Sequence, residues 1–368
     1  MNKKAVFVVG QWSRAGGLEI VTQDYVQTFR DLGFDVYVLV AHGLGDNVEE
    51  DKFHVRYFEP QNRILRSLWC RFALGWIMGG KLDKIINEGD VVVLGHARLL
   101  GVADHSKVIG KCVSWVWTHG GDVWDWRAVK YAPSINKLTR AISVSHDTRG
   151  HLLRGGVKVP VSVILNSIET RKFVPATTPE KIRHDEIMIC SRIPVSFEYK
   201  GHLRLLDAML VAEKILGRKI SLRVVGKGPG LPKLQQIIKE KGMEDRVICT
   251  GFVTDEQLVE AYQHCGVYCM PSDGEGFGLV YAEASSCARP VVVSTIGGAP
   301  DTLIPDETGL LADPMDIEAN GKAIAKILSD HAYGDELGRK GREFVERSFS
   351  FPVFSARIKE VLSEDMPL

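Results

Sequence analysis

The chain has 368 residues, 45% hydrophobic and 25% charged, with 36 glycines and 15 prolines; this excludes disordered, collagen-like and fibrous classes, and at ~150 residues per domain suggests two domains. Its 46 Lys and Arg balance 46 Asp and Glu, so the global positive charge of a nucleic-acid binder is missing. No run approaches the ~18 uninterrupted apolar residues of a membrane span, which leaves peripheral membrane contact open.

In chain order, five apolar residues, Ala5 to Val9, follow Met1–Lys4 and stop at Gly10, too short a run for a signal-peptide core, so no secretion is expected. Short apolar runs then alternate with amphipathic stretches, the pattern of β-α-β units and a mostly parallel sheet. Strands are expected at 5–9, 36–40, 91–94, 113–117 and 141–144. Near Pro160 to Pro179 the pattern loosens into Val161–Leu165 and a polar stretch, which marks a domain boundary. A second series has strands at 187–190, 221–225, 247–249, 267–270 and 291–294, and helices at 202–216, 231–241, 256–264, 279–288 and 317–329. These strands are too hydrophobic to be half-exposed, so helices are expected on both sheet faces. A last helix, 351–362, must dock somewhere. The 7 cysteines contain no Cys-x-x-Cys pair and read as reduced core thiols of a cytoplasmic protein.

In open α/β sheets ligands sit at the carboxyl ends of strands, so the chemistry belongs in βα loops. The most informative loop is Pro271 to Glu283, directly after a strand. Gly274, Gly276 and Gly278 allow close backbone approach, and a helix starting near Leu279 points free N–H groups and its positive dipole end at the loop. Glu275 and Glu283 can both accept hydrogen bonds from a hydroxyl-rich ligand; the bland alternative is a glycine turn with a capping Glu. Arg192 and Lys200 lie just after the first strand of the second half, placed to neutralise a diphosphate or simply to sit as surface charge. Gly226-Lys-Gly-Pro-Gly230 is not a dinucleotide fingerprint, because the third glycine would fall at Leu231. Gly16-Gly17 opens the first helix, another place where backbone could touch phosphate. For His119, after the strand at 113–117, the choice is a core-edge histidine or a cleft residue, and Gly120-Gly121 behind it favours the cleft.

Glu275-x7-Glu283 around Gly-Phe-Gly, Arg192 with Lys200-Gly201, Gly226-x-Gly228, Gly16-Gly17, Trp117-Thr-His119-Gly120 and Asn166-Ser-Ile-Glu169 together resemble retaining GT-B glycosyltransferases of family 4 over nearly the whole chain. The resemblance implies an α/β GT-B architecture: two Rossmann-like doubly wound domains facing a central cleft. Residues 1–168 would form an acceptor-binding domain, with the helix 351–362 packing back onto it, and 169–350 a nucleotide-sugar-binding domain. Carried over residue by residue, it implies that Glu283 binds the ribose and Glu275 the transferred sugar, with Gly276, Phe277, Gly278 and Leu279 against the donor. Arg192 and Lys200 would hold the diphosphate, and Gly16, Gly17 and Gly226 would approach the donor by backbone. Base contacts would come from Phe252 to Thr254, Val253 among them, and His119 would sit beside the sugar. Asn166-Ser-Ile-Glu169 departs from the commoner Asn-Gly-Val-Asp.

The expected activity is retaining transfer of a hexose from a nucleotide sugar to a glycan or lipid-linked glycan, in surface polysaccharide or glycoconjugate synthesis. UDP-sugars rank first and GDP-mannose second. No Asp-x-Asp and no His or Cys cluster at ligand spacing occurs, so no metal and no cofactor is expected; the leaving diphosphate would be stabilised by Arg192, Lys200 and the helix dipole. A GT-B epimerase or phosphorylase, or a scaffold without turnover, are the competing classes. All 7 tryptophans lie within the first 126 residues, which suggests a glycan or lipid surface there. Arg63, Arg66 and Arg71 among Leu65, Leu68, Trp69, Phe72 and Trp76 read as a basic amphipathic helix, which either buries its rings against the sheet with solvated arginines or meets anionic bilayer, with Trp124 and Trp126 then lining the acceptor side of the cleft.

Overall fold

Val- and Ile-rich segments with both faces covered form two parallel sheets, as β-branched side chains on fully buried strands require. The computed structural model describes residues 3–12, 17–42, 48–50, 53–57 and 74–366. Gly16 and the segment carrying Arg63, Arg66, Trp69, Arg71 and Phe72 lie outside the described residues. The chain divides into two units, Met1–Ser167 with Phe351–Leu368, and Ile168–Ser350.

In the first unit the strands are β1 (Lys4–Val9), β2 (Asp35–Val40), β3 (Val48–Glu50), β4 (Phe53–Tyr57), β5 (Val91–Leu94), β6 (Val113–Thr118), β7 (Arg140–Ser143) and β8 (Val161–Val163). Their order across the sheet is β3-β4-β2-β1-β5-β6-β7-β8, parallel except for the β3–β4 pair. The helices are α1 (Gly17–Asp31), α2 (Leu74–Ile85), α3 (Leu100–His105), α4 (Trp126–Ile135) and α5 (His146–Arg154). One sheet face is aliphatic, with Val6, Val8, Val92, Leu94 and Val116 in the core. The other is aromatic: Phe7 packs edge-on against Tyr25 and Phe29, and Trp115 and Trp117, two positions apart on β6, are fully buried.

The second unit has β9 (Arg183–Cys190), β10 (Ser221–Val225), β11 (Val247–Gly251), β12 (Cys265–Cys269), β13 (Val291–Ser294) and β14 (Leu310–Ala312), in the order β11-β10-β9-β12-β13-β14. Its helices are α6 (His202–Leu216), α7 (Leu231–Glu240), α8 (Asp255–His264), α9 (Leu279–Ser286), α10 (Ile317–Ser329) and α11 (His331–Phe349). The final helix, α12 (Phe351–Asp365), lies in the first unit. Phe354 meets Tyr25 at 5.6 Å between ring centroids, and Asp365 accepts from Arg140 and from the Trp115 indole at 2.7 Å.

Both sheets reverse strand order at one place, between β1 and β5 and between β9 and β12. Such a switch point opens a crevice at the carboxyl ends of the strands. Full cover of the strands does not hold everywhere: β11 is an edge strand and Ile248 on it is 48% exposed. The helix α11 and the short strand β14 are further elements absent from the pattern reading.

Candidate functional site

At the switch point of the second unit, the loop after β9 carries Arg192 and Lys200 and the loop after β12 carries Glu275. Residues Phe197–Lys200 make one 3-10 turn that ends at Gly201, in left-handed backbone at φ 80°. A Cβ at Gly201 would sit 2.0 Å from the Pro271 carbonyl oxygen, so only glycine lets the two loops press together. Asp273 N–H donates to Tyr199 O at 2.8 Å, and the Arg204 guanidinium donates to Pro271 O and pairs with Asp273.

This stitching puts Lys200 Nζ 2.7 Å and 3.0 Å from the two Glu275 carboxylate oxygens. The buried Ser272 hydroxyl donates to Glu275 Oε1 at 2.6 Å. Glu275 is also held by its backbone, through a bridge to Gly297 and a 2.7 Å bond from Gly298 N–H to its carbonyl. Arg192 is exposed. Gly278, at φ 95°, forms the N-cap of α9, leaving Gly276, Gly278 and Leu279 backbone at the helix's positive end. The Phe277 side chain points the other way, buried against Phe349, so only its backbone can face a ligand.

Glu283 stands on α9 and accepts a 2.9 Å hydrogen bond from the buried Tyr262 hydroxyl. Burial pushes the Glu283 carboxyl up to about 7, against the lowering effect of the Tyr262 bond. Gly226, at φ 134°, has a second structural duty: a Cβ there would fall 1.9 Å from Ser191 O, as one at Gly228 would fall 2.1 Å from Ile193 O. These glycines let the loop after β10 pack onto the loop carrying Arg192. Beyond β11, Val253 and Phe252 line a cavity of about 390 Å³ with Arg223, Gln257 and Glu260. The Phe252 ring is 69% exposed and has Lys227 Nζ 4.2 Å from its centroid.

The first unit has its own crevice at the β1–β5 switch point, a cavity of about 320 Å³ lined by Gly10, Gln11, His42, Gly95 and His96. Gly17 begins α1 near this edge. His119 Nε2 lies 2.9 Å from Gly95 O, which places a proton on that nitrogen. Asp122 fixes the turn: its carboxylate accepts from His119 N–H at 2.8 Å and from Ala97 N–H at 3.3 Å. Burial lowers the His96 imidazole to about 4, so it is neutral and its Nδ1 accepts from Arg98 N–H at 3.0 Å. Trp124 donates to Thr148 Oγ1, and Trp126 is exposed on α4.

Sequence reasoning missed Tyr262, Ser272 and Asp122. Asp122 had a local signal, an Asp three residues after His119 in a glycine turn. Tyr262 had none, being 21 residues from Glu283. Among the described residues no group of three or more His, Cys, Asp or Glu is placed to hold a metal ion.

Two family models match the chain: one described as Glycosyltransferase Family 4, over residues 15–172, and one described as Glycosyl transferases group 1, over 180–344. A Mycobacterium tuberculosis protein named GDP-mannose-dependent alpha-(1-6)-phosphatidylinositol monomannoside mannosyltransferase is 30% identical over 77% of this chain and 79% of its own. A Corynebacterium glutamicum mannosyltransferase named for the monoacylated form of that lipid is 26% identical over 99% of each chain. In fold, the chain is similar to the Anabaena protein HepE solved with UDP, with a TM-score of 0.79 and 19% identity over 98% of this chain and 100% of that one.

Proposed function

The chain belongs to glycosyltransferase family 4, and from that premise we propose that it moves a mannosyl group from GDP-mannose to a phosphatidylinositol-type glycolipid, retaining the anomeric configuration and using no metal ion. The observation that carries the reading is the Lys200–Glu275 pair at the carboxyl edge of the second sheet, beside the N-terminus of α9 and the Glu283 carboxyl. GDP-mannose is placed ahead of the UDP-sugars because the mycobacterial and corynebacterial relatives are named as GDP-mannose-dependent.

Breaking a sugar–diphosphate bond leaves negative charge on the departing nucleotide. Lys200 holds Glu275 until a diphosphate competes for its ammonium; Glu275 then exchanges that partner for sugar hydroxyls. Exposed Arg192 and the positive end of α9 add fixed charge without a cation. Glu283 accepts from the ribose, and the Phe252 ring offers a flat face to the base. Retention would follow from a front-face displacement, the step that the family resemblance implies.

The test is incubation of purified protein with radiolabelled GDP-mannose or UDP-sugars and phosphatidylinositol lipids, with and without EDTA. Mannosylated lipid with the donor's anomeric configuration by NMR, formed in EDTA, is expected. An inverted product, a free epimerised sugar nucleotide, dependence on added Mn²⁺ or Mg²⁺, or no turnover each overturns the corresponding part.

A further inference from the structure

Two neighbouring helices of the first unit carry apolar side chains turned to solvent. Trp126 opens α4 at 61% exposed, Val129 follows one turn on at 63%, and Leu153 near the end of α5 is 46% exposed. Gly155 joins them: a Cβ there would fall 2.4 Å from the Ala128 Cβ and 3.0 Å from Val129 N. The last turn of α5 and the first turn of α4 therefore share one surface, and Asp125 N–H donates to His151 Nδ1 at 3.3 Å across the same junction. The opposite faces are already used, with Ala128, Ala132 and Ile135 of α4 and Leu152 of α5 in the core.

Three basic side chains flank these apolar residues, beside one exposed carboxylate, Asp125. The Arg127 guanidinium carbon lies 4.8 Å from the Trp126 ring centroid and Lys130 Nζ 5.8 Å from it. Arg154 ends α5 beside Leu153. The two nearby carboxylates, Asp125 and Asp147, both turn to His151, at 3.7 Å each. An indole under cations with aliphatic neighbours suits the headgroup layer of a membrane, where the ring stays at the polar boundary and the basic groups meet phosphate.

We propose that this α4–α5 surface docks the protein on a bilayer containing anionic lipid, Trp126, Val129 and Leu153 entering the acyl boundary and Arg127, Lys130 and Arg154 contacting phosphates. The inference deepens the glycolipid-acceptor reading and rests on it only for the reason to be at a membrane; its test needs no sugar transfer. The surface is separate from the 63–76 segment, of which residues 63–73 lie outside the described residues.

Flotation of the full chain with phosphatidylcholine vesicles carrying phosphatidylinositol is the experiment, with pure phosphatidylcholine vesicles as control. The protein is expected to float with the anionic vesicles and to release as salt rises. The triple variant Arg127→Glu, Lys130→Glu, Arg154→Glu should bind at least about a hundredfold more weakly. The pair Val129→Ser, Leu153→Ser should lose flotation too, both variants keeping wild-type thermal unfolding and donor hydrolysis. Trp emission should shift to the blue on vesicle addition, and Trp126→Phe should remove that shift. Equal flotation of wild type and the variants, or a blue shift that survives Trp126→Phe, overturns the proposal. So does a dimer in light scattering that the variants dissolve, which would make a second copy the occupant. A protein that floats without transferring sugar leaves docking standing and removes the enzymatic reading. One that glycosylates a water-soluble acceptor and never floats does the reverse.

Discussion

Glu283 is a carboxyl whose surroundings set its charge near neutral pH. Burial raises it to about 7 and the Tyr262 hydrogen bond opposes that rise. Because the folded value exceeds the unfolded value of ~4.3, the folded state holds an extra proton between the two, and this group lowers stability as pH rises from ~4.3 to 7. Ligand binding has the opposite sign, since the ionised carboxylate is the better acceptor for ribose hydroxyls. Calorimetric GDP affinity should therefore increase several-fold through pH 7, by an amount that Glu283→Gln abolishes. Tyr262→Phe should move that increase to higher pH, because it removes a bond that favours the charged form. A pH profile identical in wild type and both variants would remove Glu283 from the nucleotide site. For Glu275→Gln, a loss of ~1–3 kcal/mol of hydrogen bonding, roughly tenfold to a hundredfold in kcat/KM, is expected.

Between elements, the second unit's loops are held by backbone closeness that one methyl group would break. Gly201 combines φ 80° with a Cβ position 2.0 Å from Pro271 O. Gly201→Ala is expected to cost about 2 kcal/mol or more. It should also separate Lys200 from Glu275, so Tm falls by several degrees and nucleotide affinity falls with it. Loss of Tm with unchanged affinity would show that the pairing is incidental to binding. The strand ends and the glycine loops on them were legible in the sequence, because apolar runs end where glycine and polar residues begin. That the loops after β9 and β10 are bonded to each other, Ile193 N–H to Lys227 O at 3.1 Å, was not, since two glycine loops carry no mark of which neighbour they touch.

Across the whole molecule, the chain returns to its first unit after completing the second. Phe354, fully buried, stacks with Trp117 and meets Tyr25 edge-on, and Asp365 closes on Arg140 with both side chains under a tenth exposed. All 7 tryptophans belong to the first 126 residues, so Trp emission reports the first unit alone. Phe354→Ala should destabilise that unit by ~3–5 kcal/mol, seen as a Trp emission transition at lower urea. Asp365→Ala, which leaves a buried guanidinium with less compensation, should cost ~3 kcal/mol. Nucleotide binding to the second unit, read by calorimetry in the absence of denaturant, should stay at wild type. A lowered urea midpoint without any change in Trp emission would contradict the placement of α12.

The sequence by itself determined the alternation of strand and helix and the parallel α/β class, because hydrophobic period and glycine position are local quantities, and its motifs carried the resemblance to the family. Only the tertiary structure decided which partner each polar group takes. Lys200 and Glu275 are 75 residues apart, Glu283 and Tyr262 are 21 apart, and Arg140 and Asp365 are 225 apart. A local pattern can put such groups at the same sheet edge, but a hydrogen bond forms only when packing brings two atoms within about 3 Å. That distance is set by the glycines that let loops touch and by the strand order that brings β9 beside β12.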